Sequence, residues 1–555
     1  MKIKKIIILL CILINQTSYT AETLFFDIDE NSFEDSTENG DYSLEIAQLI
    51  NQTRDPADCV FTTQDLVDIA VGTLGLPSLE QFNIYKYTNP PVIRSLHDLP
   101  SLRPWYGCDD KLCFYATFFF NPMVHAYFTR CGSFLSDYLF ISQEDALIAE
   151  LENLLPNGEI PQVLPLFNVA RLQQRRLGVM LGASKCFGNV RFNMAIPLFY
   201  QELNFYLTQA QVDALNASPF FGGIQPQPVS EGAQNLGFAI FDPNTFIDRH
   251  LISDKIGLGD IRFYLDYMLF NETRCPLRIG GLLTLPNSTV FRHSIIGSNF
   301  EKCHPGPGLS LEEILVLQCM AEGSPTDPLT LDAKNKLAAL SQSYALQFLD
   351  RLSATVIQNS LGQEQVSYGF LAEAFIELTE NSHLCLFFEW YQFLQGRQDR
   401  PVRLFISPGQ SLDRDYNTPG LAQDNLTFLQ QRFINILFPP IAQVKVQRGD
   451  VINARFYTKT DWRVLQWNIG YDLWWQGRER LYGCAFTPAN AQLDLKSAER
   501  PTALQGKIFG GCNVQRAAED YETFGWRLGL KAEATVNNYG IGNDWLIGVD
   551  FVADF

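Results

Sequence analysis

The run Trp545-Leu546-Ile547-Gly548-Val549-Asp550-Phe551-Val552-Ala553-Asp554-Phe555 decides how the rest of the chain is read. In an extended strand successive side chains point to opposite faces. Trp545, Ile547, Val549, Phe551, Ala553 and Phe555 therefore share one face, and Gly548, Asp550 and Asp554 share the other with apolar Leu546 and Val552. A wall that separates lipid from a wetter interior calls for this period of two, with no long continuous apolar run.

The same period recurs upstream. In 524–536, Phe524, Trp526, Leu528, Leu530, Ala532, Ala534 and Val536 oppose Gly525, Arg527, Gly529, Lys531, Glu533 and Thr535. In 463–476, Leu465, Trp467, Ile469, Tyr471, Leu473 and Trp475 oppose Gln466, Asn468, Gly470 and Asp472. Further alternating segments are 451–459, 383–393, 366–378, 275–285, 259–270, 190–206 and 174–185, with weaker ones at 112–120 and 505–513. With the terminal strand they predict twelve strands, or fourteen if the loops hide another hairpin. A tilted membrane-spanning strand needs about 9–11 residues, and most of these segments reach that length. The alternating strand that ends on an aromatic resembles the C-terminal insertion signal of bacterial outer-membrane β-barrels. That resemblance implies that Phe551 and Phe555 address the chain to the barrel assembly machinery and that Phe555 ends in the periplasm.

With that orientation the connections sort themselves. Those on the periplasmic side are 186–189, 271–274, 379–382, 460–462 and 514–523. Those outside are 121–173, 207–258, 286–365, 394–450, 477–504 and 537–544, and five of these six are far longer. Short periplasmic turns and long outer loops are the asymmetry of such barrels. A secreted all-β sandwich also alternates, with its apolar face inward, but gives no reason for loops so unequal. In lipid only helices and closed barrels satisfy every backbone N–H and C=O. The predicted fold is all-β, a closed antiparallel transmembrane β-barrel over 112–555 with helical segments in long loops. Such helical spacing occurs at 331–358, 423–437 and 143–155.

Composition bounds the function. A net charge of −19 argues against a nucleic-acid partner, which demands basic patches. Basic Met1-Lys2-Ile3-Lys4-Lys5, nine apolar residues from Ile6 to Ile14, and polar residues up to Ala21 read as a signal peptide over 1–21. Residues 22–111 form an acidic and then Pro-containing extension or plug; the carboxylates from Asp27 to Glu38 only partly match a calcium loop. Cys11 lies in the signal run, and the odd number of remaining cysteines leaves disulfide connectivity open. The six histidines are dispersed, with no His-Glu-x-x-His and no Gly-x-Ser-x-Gly. The chain reads as no enzyme, with no cofactor and no metal.

The polar faces supply the candidate lumen-lining residues Arg176, Arg191, Arg262, Asp266, Arg278, Glu373, Glu377, Glu389, Arg455, Asp472, Arg527, Lys531 and Glu533. Fixed charges around a pore set selectivity by replacing a solute's hydration; paired across strands, the same groups hold a wall or a plug instead. Trp390, Trp467, Trp475, Trp526 and Trp545 fall on the apolar faces, as an aromatic belt at the lipid interface requires. Gly257-Leu258-Gly259-Asp260-Ile261 leads into a strand ending at Phe270. This segment resembles one entering a barrel strand in the phenol-degradation-type and fatty-acid-transporter-like outer-membrane channels. The reading is an outer-membrane channel for passive passage or uptake of small solutes through a charged, partly plugged lumen. The alternative is a surface structural or adhesive protein whose barrel anchors disulfide-bearing loops. Its partners are outer-membrane lipid, the assembly machinery and small solutes, with the oligomeric state left open.

Overall fold

Alternation along the chain becomes a ring of antiparallel strands in a computed structural model. The structure describes residues 87–103, 112–125, 171–205, 210, 252–270, 275–288, 292–293, 320, 328–336, 360–405, 439, 441–462, 464–484, 492–516 and 525–554. In chain order the strands begin with β1 (Leu112–His125), β2 (Leu172–Phe187), β3 (Val190–Phe205), β4 (Ile252–Leu258), β5 (Ile261–Phe270) and β6 (Leu277–Leu285). Next come β7 (Arg292–His293), β8 (Ser367–Thr379), β9 (Ser382–Phe393), β10 (Gly396–Pro401), β11 (Arg403–Phe405) and β12 (Ile441–Gln447). The last are β13 (Val451–Trp462), β14 (Leu465–Gln476), β15 (Arg480–Cys484), β16 (Gln492–Asp494), β17 (Ala503–Arg516), β18 (Gly525–Tyr539) and β19 (Asn543–Asp554). The chain divides into two compact units. One comprises 1–60, 228–242 and 313–334, of which Met320 and part of the helix at 328–336 are described. Every strand among the described residues belongs to the other unit.

Twelve strands pair in the cyclic order β1-β2-β3-β5-β6-β8-β9-β13-β14-β17-β18-β19, and β19 returns to β1. The closing register sets Phe118 opposite Val549 and Thr117 opposite Asp550. Closure leaves the twelve-strand ring itself without an edge strand. All twelve segments expected from the sequence are present, including the weakly alternating 112–120 and 505–513, which lie within β1 and β17. Two more strands, β4 and β7, extend the sheet.

They arise at a break in the ladder. β3 pairs with β5 over Val190–Ala195 and with β4 from Leu198 onward, so the strand expected from Gly259 instead begins at Ile261. Pro197 has no N–H to give the ladder. Its carbonyl accepts from the Gly259 N–H at 2.8 Å. A Cβ at Gly259 would stand 2.6 Å from the Pro197 ring, so this crossing admits only glycine without a shift.

The turns follow the expected asymmetry. β2 and β3 are joined by Gly188-Asn189, with Gly188 at a φ of 61° that suits a two-residue hairpin. Two residues also join β8 to β9 and β13 to β14. At the opposite end β10-β12-β15 form a three-stranded sheet, with Val402, Ala442, Val444, Val446, Leu481 and Ala498 as its core. The expected helical spacing at 331–358 overlaps the helix at 328–336; those at 423–437 and 143–155, with the signal segment, the acidic run and Phe555, lie outside the described residues.

Candidate functional site: the barrel interior

Burial is inverted relative to a water-soluble sandwich. Each of the twelve ring strands leaves large apolar side chains exposed on its outward face, among them Phe118 at 60 %, Leu265 at 57 % and Leu530 at 64 %. On the inward face Arg262, Glu389, Asp472, Lys507 and Asp550 are fully buried. An apolar exterior around a charged interior is stable only where lipid wets the outside. The chain is a transmembrane β-barrel of the bacterial outer-membrane type.

The five tryptophans fall on the outward faces at two levels. Trp390, Trp475 and Trp545 lie near the strand ends from which the long connections leave, and Trp467 and Trp526 near the short-turn end. Trp545 packs edge-on against Phe120 at 5.6 Å, and Trp390 lies tilted against Phe370 at 5.4 Å. Outward Phe551 is 42 % exposed.

Inside the ring lies the stretch 87–103. It carries two successive 3-10 turns, Leu96–Asp98 and Pro100–Leu102, the first capped by the Ser95 hydroxyl and the second opened by a proline. A 3-10 turn repeats every three residues, so Leu96, Leu99 and Leu102 line one side. They pack with Tyr115 and Phe119 of β1, Met180 of β2, Ala195 and Phe199 of β3, and Leu546 and Val552 of β19. The polar residues between them face the remaining strands. Asp98 is the hub: one carboxylate oxygen pairs with Arg262 at 2.8 Å, and the other accepts from Tyr391 Oη at 2.7 Å and Trp474 Nε1 at 3.2 Å. Arg455 donates to the Asp98 carbonyl. Arg94 pairs with Asp472 at 2.6 Å, and its own carbonyl accepts from Arg176 at 2.8 Å. The Ser101 N–H donates to Glu533 at 2.8 Å. Arg103 reaches Glu389 at 3.1 Å and stacks 3.8 Å from the Phe387 ring. Only an element within a closed ring touches strands around so much of its circumference.

Two groups of this stretch show how dry it is. Burial, and then the Arg262 charge, hold the His97 imidazole down at about 3. The ring is therefore neutral, and Nε2–H donates to the Asp260 carbonyl at 2.6 Å. Burial would push the Asp98 carboxyl up, but Arg262 and the Tyr391 hydroxyl outweigh it and hold it below the usual range.

The wall carries its own pairs. Directly opposed in register, Arg191 meets Asp266 at 2.8 Å and also Glu373 at 2.9 Å. Arg455 meets its opposite Asp472 at 2.7 Å, and Arg262 meets Glu389 at 3.0 Å. Arg278 lies 3.8 Å from Asp266, Lys531 3.4 Å from Asp550, and Arg527 3.6 Å from Asp554. Of the thirteen sequence candidates, Glu377 alone is exposed, near the β8–β9 turn. Sequence reasoning missed Arg94, Asp98 and Arg103, and on the wall Tyr391, Trp474, Lys507 and Asp544. Lys507 joins Glu533 and Asp544 at 2.7 Å each. Inward Trp474 continues the alternation of Gln466, Asn468 and Asp472, so a signal for it was there.

No protein-family model and no curated protein matches the sequence. Among solved structures, an outer-membrane channel from Pseudomonas putida F1 is similar over 81 % of this chain and 97 % of its own, at 8 % identity and a TM-score of 0.35. The toluene transporter TodX of Pseudomonas putida is similar over 85 % and 96 %, at 11 % identity and 0.28. A Pseudomonas aeruginosa FadL homologue is similar over 85 % and 100 %, at 8 % identity and 0.31. At these scores the chain's own strand pairing and burial carry the fold.

Proposed function

We propose that the protein is an outer-membrane channel for passive passage of small solutes, with 87–103 as a plug seated in its lumen. The reading takes 1–21 as the export signal, 22–111 as the extension that bears the plug, and 112–555 as the barrel with its loops. What carries it is how the inner stretch is attached. It adds no strand to the ring, and it is held by side-chain bonds, one cluster of leucines and a backbone bond from the Thr88 N–H to the Ser497 carbonyl at 3.0 Å, outside the ring strands. Such an element can leave its seat without dismantling the wall. The charges it would uncover, Arg262, Glu389, Arg455 and Asp472, would then line a wet path, where fixed charges select among solutes.

Planar-bilayer recording tests this. The full chain is expected to give little steady current, and a chain lacking 87–103 a large one. A deletion variant that keeps heat-modifiable gel mobility yet passes no current overturns the channel. The surface-anchor reading is favoured by one observation, the three-stranded sheet β10-β12-β15 with its own apolar core beyond the ring. Silence from both forms would leave that reading standing.

A further inference from the structure

Outside the lumen network, three arginines from separate stretches converge where the long connections leave the ring. Arg400 lies on β10, Arg448 just before β13, and Arg500 just before β17. Arg400 pairs with Glu479 at 2.9 Å and also donates to Gln398. Arg500 Nε approaches the other oxygen of Glu479 only to 3.7 Å. Arg448 donates through Nη1 to Gln363 and lies over the Phe393 ring. Glu364 is already engaged by Ser360 Oγ at 2.7 Å and Gln398 Nε2 at 3.3 Å. Asp260 stands behind Gln363, accepting its N–H.

The cluster therefore leaves buried donors unmet. Arg400 and Arg448 are 1 % and 3 % exposed. Arg448 Nε and Arg500 Nε are buried with no hydrogen-bond partner among the described residues, as is Glu479 Oε2. An unmet buried donor costs free energy, and more so when it is charged. Burial, with Arg448 and Arg400 beside it, pulls Arg500 down to about 9. Glu479 and Glu364 offset this only in part. A guanidinium fork matches the paired oxygens of a carboxylate or phosphate, and the Arg500 side chain, 16 % exposed, gives access from solvent.

We propose that Arg400, Arg448 and Arg500 form a binding site for a small oxyanion, a carboxylate or a phosphate, at the loop-bearing end of the barrel. The site stands whether or not the barrel conducts, because binding is read without current. The experiment is calorimetric titration of the refolded full chain in detergent at low ionic strength, with inorganic phosphate, acetate and benzoate in separate arms. Saturable binding in at least one arm is expected, weakened about tenfold or more by R500Q and by R448Q, as loss of a charge-assisted contact implies. Phosphate alone or carboxylates alone would assign the class. R478Q is the control: Arg478 is half exposed and pairs at 2.7 Å with Glu499, so affinity should hold within about twofold. Heat-modifiable mobility checks that each variant is folded, and R448Q serves if R500Q is not. No saturable heat from the wild-type chain in any arm overturns the site, as does binding that both folded variants retain.

Discussion

The two faces of the barrel wall use one alternation under opposite rules. Outward side chains such as Leu265, Leu530 and Ile547 need only be apolar, because lipid asks for no particular partner. Inward side chains need named partners: Asp98 takes Arg262, Tyr391 and Trp474, and Lys507 takes Glu533 and Asp544. The outside thus tolerates exchange within a chemical class and responds to depth. The inside responds to the loss of a single atom.

The sharpest way to break this contrast is Asp98→Ala. It leaves Tyr391 and Trp474 without their acceptor and Arg262 short of one carboxylate, and removing one partner of a buried pair costs about 3–5 kcal/mol. Protease cleavage within 87–103 should rise steeply while the ring keeps its heat-modifiable mobility. Intact protection would show that Asp98 is no hub. On the outside, Leu530→Arg sits mid-strand on β18 and should cost about 2–4 kcal/mol in lipid vesicles, whereas Val536→Arg near the strand end should cost about 0–1 kcal/mol. Equal urea midpoints for the two would mean that lipid does not cover this face. The last effect belongs to pH. His97 is held at about 3 in the fold against 6.5 as its ordinary value, so the unfolded form takes up the proton first. Seating of 87–103 is then unaffected above pH 6.5 and weakens as pH falls from 6.5 towards 3, by on the order of 2 kcal/mol at pH 5. His97→Gln should flatten the protease-protection profile over that window; a slope unchanged in the variant assigns it to other groups.

The same contrast explains what could be read in advance. Twelve strands and the orientation of their turns were legible because each depends on local period and loop length, as in 463–476 and 524–536. Inward arginines and carboxylates were legible by parity. Their partners were not, since parity names a face and says nothing of what stands across the lumen. The stretch 87–103 was hidden for a related reason: leucines at 96, 99 and 102 follow the 3-10 period, which is neither two nor 3.6. The break at Gly259 was visible only in combination, as a glycine that must meet Pro197 from a distant strand.

Pairing of β1 with β19 has a consequence for the order of events in assembly. Arg94 precedes the ring and its partner Asp472 lies 378 residues later, on a strand still followed by β17, β18 and β19. Seating of 87–103 therefore waits until most of the ring strands have been made, and a finished wall admits the leucine-bearing stretch only through an end of the barrel, with no side entrance among paired strands. Seating becomes a late step, governed by contacts of very long sequence separation, and such contacts make folding slow. A variant with a weakened seat should then reveal itself first in the rate of barrel maturation, and only afterwards in the stability of the mature barrel.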